Sequence, residues 1–221
     1  MNRKHTPAGS AARLALLLAC AFVMRSPLAG EQRYEPLSAS VRAALHQSVA
    51  DRASPRLTFA SQVEGDAWLA DMSKRLEKHI PDDSTRQDLL VTVQYEATRA
   101  GLDPQLVLGV IHVESRFRKY AVSKAGARGY MQVMPFWTSL IGDGSQNLFN
   151  LRTNLRYGCT ILRHYLDIER GDTFRALARY NGTLGKSRYP EDVQRAWSGD
   201  WDYARGRSRT FIAPTRYLGD G

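Results

Sequence analysis

Leu106-Val107-Leu108-Gly109-Val110-Ile111-His112-Val113-Glu114-Ser115-Arg116-Phe117 is the stretch on which the reading of this chain turns. Asp103 ahead of it is a good helix N-cap and Pro104 a good first helical residue, so the stretch predicts a helix. Helical spacing puts Glu114 on one face with Val107, Val110, Ile111 and Phe117. A carboxyl group among aliphatic neighbours resists ionisation, so its pKa is expected to rise. A carboxyl that keeps its proton near neutral pH can act as a general acid. The same spacing suits a second reading, a buried structural carboxylate paired with Arg118 about one turn on.

The helices around this stretch follow from the same signals. Ser84 is placed to cap a helix running to Ala100, with Leu89, Leu90, Val93 and Ala97 inward and Gly101 ending it. That helix and the Glu114 helix then form a tight hairpin. Upstream, Trp68, Leu69, Met72 and Leu76 define a helix over 66–79, and Pro81 stops it. Val41, Ala44, Leu45 and Val49 support one short helix between Pro36 and Pro55. From Tyr120 to Met134 periodicity lapses, and Gly126 and Gly129 predict a loop with a short irregular hairpin. Pro135 opens a short helix. Leu155, Cys159, Leu162 and Leu166 make a stripe over 153–169. Asp172 or Thr173 begins a helix to Tyr180, and a last helix spans Pro190 to Trp197. Strand signals are nearly missing, so the fold class is mainly α.

Length and composition bound the rest. A chain of 221 residues with 43% hydrophobic and 24% charged residues suits one globular domain with extensions. Residues 1–30 read as an export signal: Arg3, Lys4 and Arg13 precede the apolar run Leu14 to Met24, and Pro27-Leu28-Ala29-Gly30 offers a cleavage site. Leu17-Leu18-Ala19-Cys20 also resembles a lipobox, so membrane attachment through Cys20 or an uncleaved anchor stands beside cleavage. Residues 31–80 are expected to be a helical adapter, 81–198 the main domain, and 199–221 a loosely held basic tail.

Export leaves Cys159 as a lone cysteine, so no internal disulfide is available. His46, His79, His112 and His164 lack metal-site spacing, and neither a metal nor another cofactor is expected. Of the formal +9, four bases (Arg3, Lys4, Arg13, Arg25) lie in residues 1–30, which leaves +5 on the remainder. That field favours an anionic partner. For an exported protein, cell wall or anionic lipid fits better than nucleic acid, whose case would rest on charge alone.

Four stretches fall in a telling order: Glu114-Ser115-Arg116-Phe117; Ala121-Val122-Ser123 with Gly126-Ala127-Arg128-Gly129-Tyr130-Met131-Gln132-Val133-Met134-Pro135; Asn154, read as opening a helix; and Ala176-Leu177-Ala178-Arg179-Tyr180-Asn181-Gly182. Their set resembles the catalytic domain of soluble lytic transglycosylases, the family-one type related to goose-type lysozyme, over about residues 85–198. The resemblance implies a mainly helical (α+β lysozyme-like) fold with a short irregular hairpin beside an active-site groove. It implies that Glu114 is the catalytic acid/base and that Ser115 lies close to it. Met131 and Gln132 would line the sugar groove, and Tyr180 and Asn181 would face the acid across the cleft. Tyr189 is a looser match to another groove aromatic. Tyr130 departs from the family's usual leucine, and Thr183-Leu184 from the residues usual after Gly182.

The expected reaction is cleavage of the β-1,4 bond between N-acetylmuramic acid and N-acetylglucosamine, giving 1,6-anhydromuramoyl ends. Most glycosidases need two carboxylates, whereas a single acid suffices when the substrate's acetamido group assists. Asp143, Asp167 and Glu169 read as solvated charges and supply no second acid. The expected partner is the peptidoglycan glycan strand in the periplasm, alone or within a secretion or cell-wall complex. Two other readings remain open at this point, a hydrolase of the same bond and a wall-binding protein without chemistry.

Overall fold

A computed structural model of the protein describes residues 32–203. The expected export signal, Cys20, and Arg205, Arg207, Arg209 and Arg216 lie outside the described residues. Among those described, the chain forms eight α-helices and a closing π-helical turn. They are α1 Ala39–Ala50, α2 Gln62–Leu76, α3 Asp83–Arg99, α4 Pro104–Ser115, α5 Phe136–Ile141, α6 Leu151–Ile168, α7 Thr173–Tyr180 and α8 Arg188–Arg195, with the π turn over Ala196–Asp200. β structure among these residues is limited to the isolated bridges Val122–Arg128 and Arg128–Val133, which together make the small irregular hairpin.

The central helix is α4. Asp103 caps it by accepting from the Gln105 N–H at 2.8 Å, and Pro104 occupies its first turn. Leu106, Val107, Leu108, Val110 and Ile111 are all buried, so α4 is enclosed on every side and not along one stripe. It packs against α3, α8 and the π turn. Gly109 allows that approach, because a Cβ there would lie 3.2 Å from Val193 O and from Trp197 N. The α3–α4 hairpin closes on a left-handed Gly101, with Leu102 N donating to Ala97 O and Gly101 N to Thr98 O.

Several boundaries differ from the sequence expectation, each for a local reason. α3 starts at Asp83 because Asp82, not Ser84, accepts from the Thr85 N–H at 2.7 Å. α2 starts at Gln62 because Ser61 caps it. Asn154 does not open α6; Asn150 caps that helix, and Asn154 lies inside it. α4 ends at Ser115, since Arg116 and Phe117 both take left-handed backbone. Phe117 therefore leaves the Glu114 face and packs with His79, His112 and Trp201. The tail expected to loosen from Ser198 is held as far as Tyr203: Trp201 is 1% exposed, and Arg75 donates to the Asp200 and Asp202 carbonyls.

Residues of the expected helical adapter pack into the same core. Leu45, Trp68, Met72, Leu76 and Ile80 cluster with the hydrophobic residues of α3, α4 and α6. α1 packs on α5 and α6, and α2 on α3. A buried ion pair ties the helices further: Arg156 on α6 meets Glu96 on α3 at 2.7 Å, with Asp51 just past α1 at 3.7 Å from the same guanidinium.

Candidate active site

Glu114 stands in the last turn of α4, facing the end of α7 and the start of α8. It is 8% exposed. Tyr189 in the first turn of α8 donates its hydroxyl to Glu114 Oε1 at 2.7 Å. Asn181, which terminates α7, donates from Nδ2 to the same oxygen at 3.3 Å. Both bonds fall on Oε1. Arg118 turns away and bonds the Ser115 carbonyl at 3.0 Å, so the ion pair open at the sequence level does not form.

Burial dominates the electrostatics. It pushes the Glu114 carboxyl from the ordinary 4.5 up to about 7, while the Tyr189 and Asn181 hydrogen bonds pull the other way. Tyr189 and Tyr180 are driven well above the usual phenol value, by burial first and the adjacent Glu114 charge second, so both stay protonated. Among the described residues, no second carboxylate is among the groups acting on Glu114. Asp143 bonds Ser145 in an exposed turn, Asp167 pairs with Arg163, and Glu169 pairs with Arg175 and Arg179.

The remaining candidates divide into contacts and supports. Tyr180 is fully buried and donates its hydroxyl to the Met131 carbonyl at 2.8 Å. Its hydrogen bond therefore shapes the 129–134 loop, while its neighbour Asn181 reaches the acid. Gln132 has left-handed backbone, and its Nε2 braces the Gly129 and Ala121 carbonyls at 2.8 and 3.1 Å. Ser115 Oγ bonds back to the Ile111 carbonyl at 3.1 Å. Met131 is fully buried.

Asn154 was legible only as a helix opener, yet it anchors this loop. Its Oδ1 accepts from Met131 N at 2.8 Å, and its Nδ2 donates to the Arg128 and Leu148 carbonyls at 2.8 and 2.9 Å. One turn on, Gly158 makes room for Met131, whose Sδ would be 2.3 Å from a Cβ there. The polar Asn154 and small Gly158, at i and i+4 on the buried face of an amphipathic helix, were the available signal.

A cavity of about 560 Å³ lies elsewhere, at the α1–α6 contact, lined by Asp51, Arg152, Arg156 and Tyr157, and no residue around Glu114 lines it. Chemistry, not cavity size, marks the candidate site. Among the described residues no group of three His, Cys, Asp or Glu could hold a metal ion, and no helix is long and apolar enough to cross a membrane.

Comparison with known proteins covers the stretch that holds this arrangement. Residues 92–199, which contain Glu114, Asn154, Asn181 and Tyr189, match the family model described as Transglycosylase SLT domain. The chain carries an SLT domain. A transglycosylase of Enterobacteria phage PRD1 is 33% identical over 98 residues, 44% of this chain and 36% of that protein. A membrane-bound lytic murein transglycosylase C of Histophilus somni is 34% identical over 134 residues, 53% of this chain and 35% of that protein. One of the same name from Actinobacillus pleuropneumoniae is 52% identical over 46 residues, 21% of this chain and 13% of that protein. The chain thus spans about a third or less of these relatives. The SLT match begins inside α3, so α1 and α2 lie outside the matched residues.

Proposed function

We propose that the protein is a peptidoglycan lytic transglycosylase acting in the cell envelope, on the periplasmic side. It cleaves the β-1,4 bond between N-acetylmuramic acid and N-acetylglucosamine and leaves 1,6-anhydromuramoyl ends. The observation that carries this reading is one buried carboxyl, poised near pH 7 and held by two neutral donors, with no carboxylate partner among the described residues. The SLT match and the murein transglycosylase relatives support the substrate class.

In this mechanism the glycan lies in the groove between Glu114 and the 129–134 loop. Glu114 gives its proton to the glycosidic oxygen, and the C1–O bond breaks. The muramoyl acetamido oxygen bonds to C1 and takes up the positive charge, which removes the need for a second carboxylate. The Glu114 carboxylate then takes the C6 hydroxyl proton, and O6 bonds to C1 as the acetamido oxygen leaves. Water is not consumed, and Glu114 ends protonated as it began. Asn181 Oδ1 is buried and has no hydrogen-bond partner among the described residues, so it can accept the acetamido N–H and orient that group. Tyr189 keeps Glu114 from becoming too weak an acid, since its hydroxyl favours the ionised form.

Digestion of purified sacculi tests the reading. Released muropeptides are expected to carry anhydro ends, with activity falling above about pH 7 as Glu114 loses its proton. Glu114→Gln is expected to abolish release while keeping glycan binding. Reducing muramic ends would make the enzyme a hydrolase, and full activity in Glu114→Gln would remove the acid.

A further inference from the structure

Residues 32–37 precede α1 without regular secondary structure and reach the 129–134 loop. Residues 33–36 are exposed, yet Gln32 is only 4% exposed. Its Oε1 accepts from the Met134 N–H at 3.1 Å, on the loop that also holds Met131 and Gln132. The same side chain lies against the Tyr180 hydroxyl, one residue from the Asn181 that touches Glu114. Two contacts fix the segment behind it. The Tyr34 ring meets Phe136 edge-on at 5.8 Å, and Glu35 pairs with Arg179 at 3.0 Å.

A glutamine carboxamide presents a carbonyl acceptor beside N–H donors, which is the chemistry of a sugar's acetamido group. The closed arrangement is also an imperfect one. Gln32 Nε2 is buried and, apart from the nearby Tyr180 hydroxyl, has no hydrogen-bond partner among the described residues, which weakens closure. The Glu35 carboxylate is 46% exposed, so its ion pair holds only weakly. A segment held in this way can leave.

We propose that residues 32–37 are a reversible strap that occupies the groove with its own carboxamide, so that glycan binds only after Gln32 releases the Met134 N–H. The inference rests on the groove being a glycan site. An occupant present nine-tenths of the time would weaken apparent affinity about tenfold.

The test uses the full chain as wild type, Gln32→Ala and Glu35→Gln, each checked for unchanged thermal unfolding, with tri-N-acetylchitotriose as probe. Calorimetry is expected to show binding about tenfold tighter for Gln32→Ala. Glu35→Gln, which leaves every groove residue in place, is expected to gain about twofold. Amide hydrogen exchange at Met134 is expected to quicken in Gln32→Ala and to slow again when the probe is added. Equal or weaker binding by Gln32→Ala, no binding by any of the three proteins, or unchanged Met134 exchange overturns the strap. Sacculus digestion is read separately. If tighter binding and faster exchange occur but no protein releases anhydro products, the strap stands and the lyase reading falls.

Discussion

Glu114 shows how one residue couples stability to chemistry. In the unfolded chain its carboxyl ionises near 4.5, and in the folded protein near 7. Between those values the folded state holds a proton that the unfolded state has lost, so stability falls as pH rises through that window. The full effect is about 3 kcal/mol above pH 7. Glu114→Gln removes the titration. It is expected to unfold near the wild-type midpoint at pH 4 and to be more stable by about 2–3 kcal/mol at pH 8. Urea unfolding of both proteins at pH 4, 6 and 8 measures this, and parallel pH dependences would show that the carboxyl is not a buried neutral acid. The apolar setting of Glu114 was legible in its own helix, because helical spacing fixes near neighbours. Its partners were not. Arg118 is four residues away and Tyr189 is 75, yet Tyr189 makes the bond, since backbone direction after Ser115 sends Arg118 elsewhere.

At the scale of elements, α6 is the frame against which the 129–134 loop is set. Asn154 satisfies one N–H and two carbonyls of irregular backbone that has no regular ladder of its own. Asn154→Ala leaves all three without that partner and is expected to destabilise the protein by at least about 2 kcal/mol. Because Met131 and Gln132 would shift with the loop, sacculus digestion under conditions where the variant remains folded is expected to fall more than tenfold. Activity equal to wild type in the folded variant would show that the loop geometry does not depend on this clamp. Two helix starts were readable from a cap and its first turn, Asp103-Pro104 and Asp172, whereas the caps Ser61, Asp82 and Asn150 were not singled out among the polar residues around them. The end of α4 was not readable, because the left-handed turn at Arg116 and Phe117 is set by where Phe117 finds its aromatic neighbours.

For the whole molecule, the consequential feature is that residues before α3 complete the core. Trp68 and Met72 are 1% and 0% exposed, and the Glu96–Arg156 pair is enclosed with Asp51 alongside. Trp68→Ala is expected to cost about 3–5 kcal/mol by leaving a cavity. A chain beginning at residue 81 is expected to lose cooperative thermal unfolding altogether, with calorimetry as the check; a sharp transition in that fragment would make 31–80 a true adapter. The sequence alone determined the helical class, the order of the helices and the apolar setting of Glu114, because caps and apolar spacing act between residues close in the chain. Only the tertiary structure decided that Tyr189 and Asn181 hold Glu114, that Tyr180 and Asn154 fix the loop, and that the N-terminal helices belong to one core. Those outcomes depend on desolvation and on contacts between distant segments, which no local pattern encodes.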